Sequence, residues 1–128
     1  MVQSMLSSAS ALRSHQTKMD VIAHNVANVN TNDFKSSRTT LRDSAPRTVS
    51  DVVTNPMQVG SGVSVGSIDR SKTPGAMRVT GDTTETMSNT DLAVEMTSMI
   101  TTQRGFEANA RVIPVADSML RELLDLKV

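Results

Sequence analysis

The last third of the chain repeats every three and a half residues, a pattern that few folds accommodate. Leu92, Met96, Met99, Gln103, Phe106, Ala110, Ile113, Asp117, Leu120, Leu124 and Lys127 alternate spacings of four and three. Eight of these eleven positions are apolar, so the alternation reads as a coiled-coil seam rather than scattered hydrophobicity. Ser88-Asn89-Thr90-Asp91 precedes it with hydroxyl, amide and carboxylate groups able to cap free N–H groups. The spacing predicts a helix over 89–127, about 57 Å long at ~1.5 Å per residue. Ordering such a helix costs ~1–2 kcal/mol per residue in backbone entropy, so its seam must meet a partner. Pro114 lacks an N–H and crowds the carbonyl of Ala110, which predicts a kink or local break.

One partner is available within the chain. Met5, Ala9, Leu12, Gln16, Met19, Ala23 and Val26 follow a similar repeat, widened by Ile22 and Val29, and predict a helix over 2–29. Asn28-Val29-Asn30-Thr31-Asn32-Asp33 should end it, because these side chains bond their own backbone and tolerate left-handed conformations. An antiparallel register would set Gln16 opposite Gln103 and leave residues beyond 117 uncovered. Between the helices, 30–88 reads as an irregular linker with minor β-structure. Pro46, Pro56 and Pro74-Gly75 mark turns, and Gln58–Asp69 an extended or hairpin segment. The expected fold is mainly α: paired N- and C-terminal helices form a coiled coil around a short irregular, β-containing central segment, together one coiled-coil domain.

Composition narrows the function. Phe34 and Phe106 are the two aromatic residues, while nine methionines supply adaptable bulk suited to seams and interfaces. Thirteen basic and thirteen acidic residues cancel, which removes the electrostatic footprint of a nucleic-acid binder. Cysteine is absent, and with it disulfides, thiolate metal sites and a Cys nucleophile. No apolar run approaches the ~20 residues of a membrane span, and Met1–Ser14 has no signal-peptide h-region. His15 and His24 stand nine apart and read as ordinary helix residues rather than metal ligands. Gly60–Gly66 lacks the Lys-Ser/Thr ending of a phosphate loop, and Asp20 beside His24 has no nucleophile to serve. Neither an enzyme, a cofactor nor a small-molecule substrate is expected.

Two motifs carry a family resemblance. Met19–Lys35 (MDVIAHNVANVNTNDFK) resembles the signature of bacterial flagellar rod and hook proteins, in which a helix ending Asn-apolar-Ala-Asn leads into a Thr-x-Gly-aromatic-Lys/Arg turn. Asn25, Asn28, Thr31, Phe34 and Lys35 occupy its positions, with Asp33 where the family has glycine. Ser88–Met96, Met99-Ile100 and Gln103–Ala110 resemble the family's C-terminal signature, and Gln58–Val63 is similar to a segment of distal-rod and hook subunits. The length resembles that of short proximal-rod subunits.

The resemblance implies a self-assembling structural subunit of the flagellar basal-body rod. Its implied partners are further copies of itself, other rod and hook subunits, and the flagellar type III export apparatus, which passes such chains without signal cleavage. The expected helix-packing and assembly residues are Met5, Leu12, Met19, Ile22 and Val26 on the first helix. On the second they are Leu92, Met96, Met99, Phe106, Ile113, Leu120 and Leu124. A discrete dimeric coiled-coil adaptor that never polymerises is the alternative. It would share the seams but not the Asn-rich turn.

Overall fold

The computed structural model describes residues 2–49 and 57–126, so Pro56 and Lys127 lie outside the described residues. Two helices, α1 (Val2–Ala27) and α2 (Leu92–Asp125), flank six strands: β1 (Ser37–Asp43), β2 (Arg47–Val49), β3 (Met57–Val59), β4 (Val63–Arg70), β5 (Met77–Thr80) and β6 (Thr83–Thr86). The central segment is thus more regular than expected. It folds into three separate two-stranded antiparallel sheets, β1–β4, β2–β3 and β5–β6. Gln58–Asp69 is extended, but its strands pair with earlier strands rather than with each other.

Local chemistry sets the helix ends. The Asp91 carboxylate accepts hydrogen bonds from the N–H groups of Ala93 (2.9 Å) and Val94 (3.3 Å), which starts α2. The Asn28 side chain donates to the His24 carbonyl at 2.9 Å and accepts from the Thr31 hydroxyl at 3.1 Å, which closes α1 into a turn. Asp33, at the family glycine position, adopts the left-handed φ of 57° that the turn requires. The expected break at Pro114 does not occur: α2 is helical from Leu92 to Asp125 with Pro114 inside it.

The β1–β4 sheet lies along α1, and α1 holds it at both ends. At one end Asn25 bonds both backbone groups of Ser37, the first residue of β1. At the other, Ser10 accepts from the N–H of Val63 and Ser14 donates to its carbonyl, each at 3.2 Å; Val63 is the first residue of β4. The spacing fits. About thirteen helical residues at ~1.5 Å and six strand steps at ~3.4 Å both span ~20 Å. Gly62, with φ of 98°, brings the chain against α1 just before β4, where a Cβ would run into the Ser10 hydroxyl. A bulge between Thr40 and Leu41 leaves Gly66 unpaired and bends β4.

α1 and α2 pack against each other antiparallel, as Asn25 meeting Glu95 and His15 meeting Gly105 show. This register lies one residue from the expected pairing of Gln16 with Gln103. Those two glutamines, however, are both exposed, and the Gln103 amide donates instead to Glu107 of its own helix. Apart from Ile22 on α1, the buried residues are small or polar: Ser8, Ala11, Ser14 and Asn25 on α1, Thr102 and Ala116 on α2, and Thr39 on β1. The chain exposes 9385 Å². A compact monomer of its mass exposes about 6,600 Å². The difference is surface that a neighbour can cover.

Candidate assembly interface

α2 presents two faces, and the one on α1 is not the expected seam. Glu95, Ser98, Thr102, Gly105, Asn109 and Ala116 are buried or half-buried, at helical spacings of three, four, three, four and seven. Each of Glu95, Thr102, Gly105, Asn109 and Ala116 stands one residue before a residue of the sequence repeat. Gly105 shows why. A Cβ there would sit 2.9 Å from the His15 ring, so the helices approach closely only where α2 has no side chain. With Gly105 turned inward, Phe106 is carried ~100° away. The expected α2 set therefore divides. Leu92 (48%), Met96 (48%), Phe106 (41%), Leu120 and Leu124 are exposed, whereas Met99 and Ile113 are half-buried. On α1, Ile22 is buried, and Met5, Leu12, Met19 and Val26 are half-buried.

Beyond the end of α1 the covered face changes character. Ala116 is followed at the same spacing by Leu120 and Leu123, both exposed, with Met119, Leu124 and Leu126 exposed around them. The small, polar seam thus becomes a leucine seam where α1 no longer covers it. Together with Leu92, Met96, Ile100 and Phe106, these residues leave α2 apolar over much of its outer surface.

The family turn residues form the joint that orients the helices. Asn25 is 1% exposed, and all its polar capacity is directed. Its amide donates to the Ser37 carbonyl (2.7 Å) and to the Glu95 carboxylate (3.0 Å), and its carbonyl accepts from the Ser37 N–H (2.9 Å). Thr31 and Asn28 bond each other, Phe34 meets the His24 ring edge-on at 5.4 Å, and Lys35 is half-buried at the start of the run into β1. Asn89 forms a second clasp that was legible only as a capping candidate. Its carbonyl accepts from the Ser36 N–H at 2.7 Å, and its amide donates to Ser71 (2.9 Å) and to the Thr73 carbonyl (2.8 Å). Glu95, Gly105 and the serines of α1 were also missed, because their work is polar or depends on lacking a side chain.

Among the described residues, His15 is the group whose titration is shifted. Its Nδ1 is buried without a hydrogen-bond partner, and burial, then the nearby Lys18 charge, lower its pKa below the ordinary 6.5. Among the described residues no cluster of His, Cys, Asp or Glu is placed to hold a metal ion, and no helix is long and apolar enough to cross a membrane.

These features define a class: a two-helix chain whose distinctive surface is an apolar helix face rather than a pocket. Comparison with known proteins makes the class specific. Residues 5–35 match the family of flagella basal body rod proteins, and residues 85–126 match the C-terminal family of flagellar basal body rod FlgEFG proteins. The chain is 39% identical to the flagellar hook protein FlgE of Treponema pallidum across 74% of this chain and 21% of that protein. It is 40% identical to the flagellar basal-body rod protein FlgG of Bacillus subtilis, across 65% of this chain and 34% of that one. With the flagellar basal-body rod protein FlgC of Borreliella burgdorferi it shares 29% identity across 91% of this chain and 90% of that protein. The chain belongs to the flagellar axial rod and hook protein family. It spans about a fifth to a third of the length of the hook and FlgG relatives and nearly the whole of FlgC.

Two outcomes are expected. Asn25→Ala should destabilise the chain by about 2–4 kcal/mol in urea unfolding, because it leaves Ser37 and Glu95 without their partner. Asn28→Ala, which removes more exposed side-chain hydrogen bonds at the end of α1, should cost about 1 kcal/mol. Since the His15 pKa is lowered on folding, its contribution is fully present above pH 6.5 and is lost as pH falls through the lowered value. Melting curves between pH 8 and pH 5 should show this acid-side loss in the native chain and a shallower one in His15→Gln.

Proposed function

We propose that the chain is a structural subunit of the flagellar basal-body rod that assembles through its helices into the axial tube. One observation carries this reading: α2 leaves Leu92, Met96, Ile100, Phe106 and its terminal leucines exposed, with no element among the described residues to cover them. An apolar face of this extent favours association, because burying each such side chain is worth about 1.5–3 kcal/mol. In the assembled state neighbouring helices complete the coiled-coil packing that the sequence repeat describes, with this outer face as the seam between subunits.

The match to the flagella basal body rod protein family, and similarity to FlgC across nearly all of that protein, support the rod reading. The partners are then other copies and neighbouring rod and hook subunits. Export proceeds through the flagellar type III apparatus without a cleaved signal. The role is architectural and calls for no catalytic residue, cofactor or nucleic acid.

Light scattering against concentration, with negative-stain microscopy, tests the reading. The native chain should form tubes or short filaments as concentration rises. Met96→Asp, at an exposed position, should keep native helicity and raise the concentration needed for assembly by at least about tenfold. A discrete dimer that never elongates, and that Met96→Asp leaves intact, would instead establish the adaptor alternative.

A further inference from the structure

Two adjoining clefts, of about 440 and 330 Å³, open where α1, β1 and the start of α2 meet, and they share Ser37, Arg38 and Glu95 in their walls. Lys18 lines the first and Arg70 the second. The ion pairs among the described residues are Arg104–Glu107 and Arg121–Asp117, so Lys18, Arg38 and Arg70 are unpaired there. The acids in these walls, Glu95 and Asp69, accept from the neutral donors Asn25 and Ser67 and keep their charge, so the cations exceed them by one. Thr39 lines the first cleft as well. It is 7% exposed, and its buried hydroxyl has no hydrogen-bond partner. The unpaired cations leave the wall of the first cleft net positive, which suits an anionic oxygen.

The opposite end of the helix pair carries the complementary charge. Glu122 and Asp125 are exposed, without a side-chain partner among the described residues, on the part of α2 that outruns α1. They stand at the negative end of the α2 dipole, and the last turn holds no basic residue to offset them. Exposed Leu123, Leu124 and Leu126 flank them. Among the described residues these two carboxylates thus have no cationic partner, whereas the unpaired Lys18 and Arg38 lie toward the other end of α2, ~36–46 Å away.

We propose that the cleft lined by Lys18, Arg38 and Thr39 receives the Glu122 and Asp125 carboxylates of a second copy of this chain. The contact is head-to-tail and does not close on itself, so it propagates along an axis. It rests on the assembly reading above and assigns that assembly its axial contact.

Charge reversal in the full-length chain tests it. Arg38→Glu, and separately Glu122→Lys with Asp125→Lys, should each raise the critical concentration for assembly about tenfold, with circular dichroism unchanged. Combining all three reversals in one chain should return it to within about twofold of native, and added salt should weaken native assembly. Single reversals that assemble like the native chain, or a triple variant no better than either parent, overturn the axial contact and leave the assembly reading standing. A native chain that stays monomeric at every concentration overturns both.

Discussion

One buried carboxamide holds the architecture together. Asn25 fixes the first residue of β1 through both of its backbone groups and ties α1 to the start of α2 through Glu95. Three elements thus meet on a side chain that water does not reach. Buried amides stabilise only when every donor and acceptor is met, and this one meets all of them within the chain. Ser10 and Ser14 treat the first residue of β4 in the same way. α1 is therefore less a hydrophobic partner for the sheet than a rail to which both strands are hydrogen-bonded at a matched spacing.

That design frees the large apolar residues for another purpose. Because α1 and α2 meet through Ser, Ala, Thr and Gly, the helices come close, and the bulky residues of α2 rotate outward. The fold buries mainly polar and small side chains and leaves Leu92, Met96, Phe106 and the terminal leucines of α2 exposed. Methionine, unbranched and polarizable, would suit the inter-subunit seam proposed above. A chain that buried Phe106 and Met96 internally would be a tighter monomer and a poorer building block.

The sequence made the two helices, their antiparallel pairing, the Asn-rich turn and the left-handed Asp33 legible, because each depends on periodicity or on local backbone chemistry. It did not show which face of α2 meets α1. The repeat gave the apolar seam, but Gly105 against His15 decides the rotation, and a missing side chain leaves no hydrophobic signal. The strands were under-read for a similar reason. Their stability comes from side chains on α1 more than fifty residues away from Val63 in places, and from Asn89 bridging Ser36, Ser71 and Thr73, none of which alternates in hydropathy. At Pro114, where a kink or local break was expected, the helix runs on without a break.

The native methionines allow the most direct test of whether the outer face of α2 is a seam between subunits. Peroxide oxidation, read residue by residue by mass spectrometry, should find Met96 and Met119 reactive in the dilute chain and protected once it has assembled. Half-buried Met99 should react slowly in both states. Met96 and Met119 remaining as reactive in the assembly as in the dilute chain would contradict the account, because the apolar face would then have no neighbour to cover it.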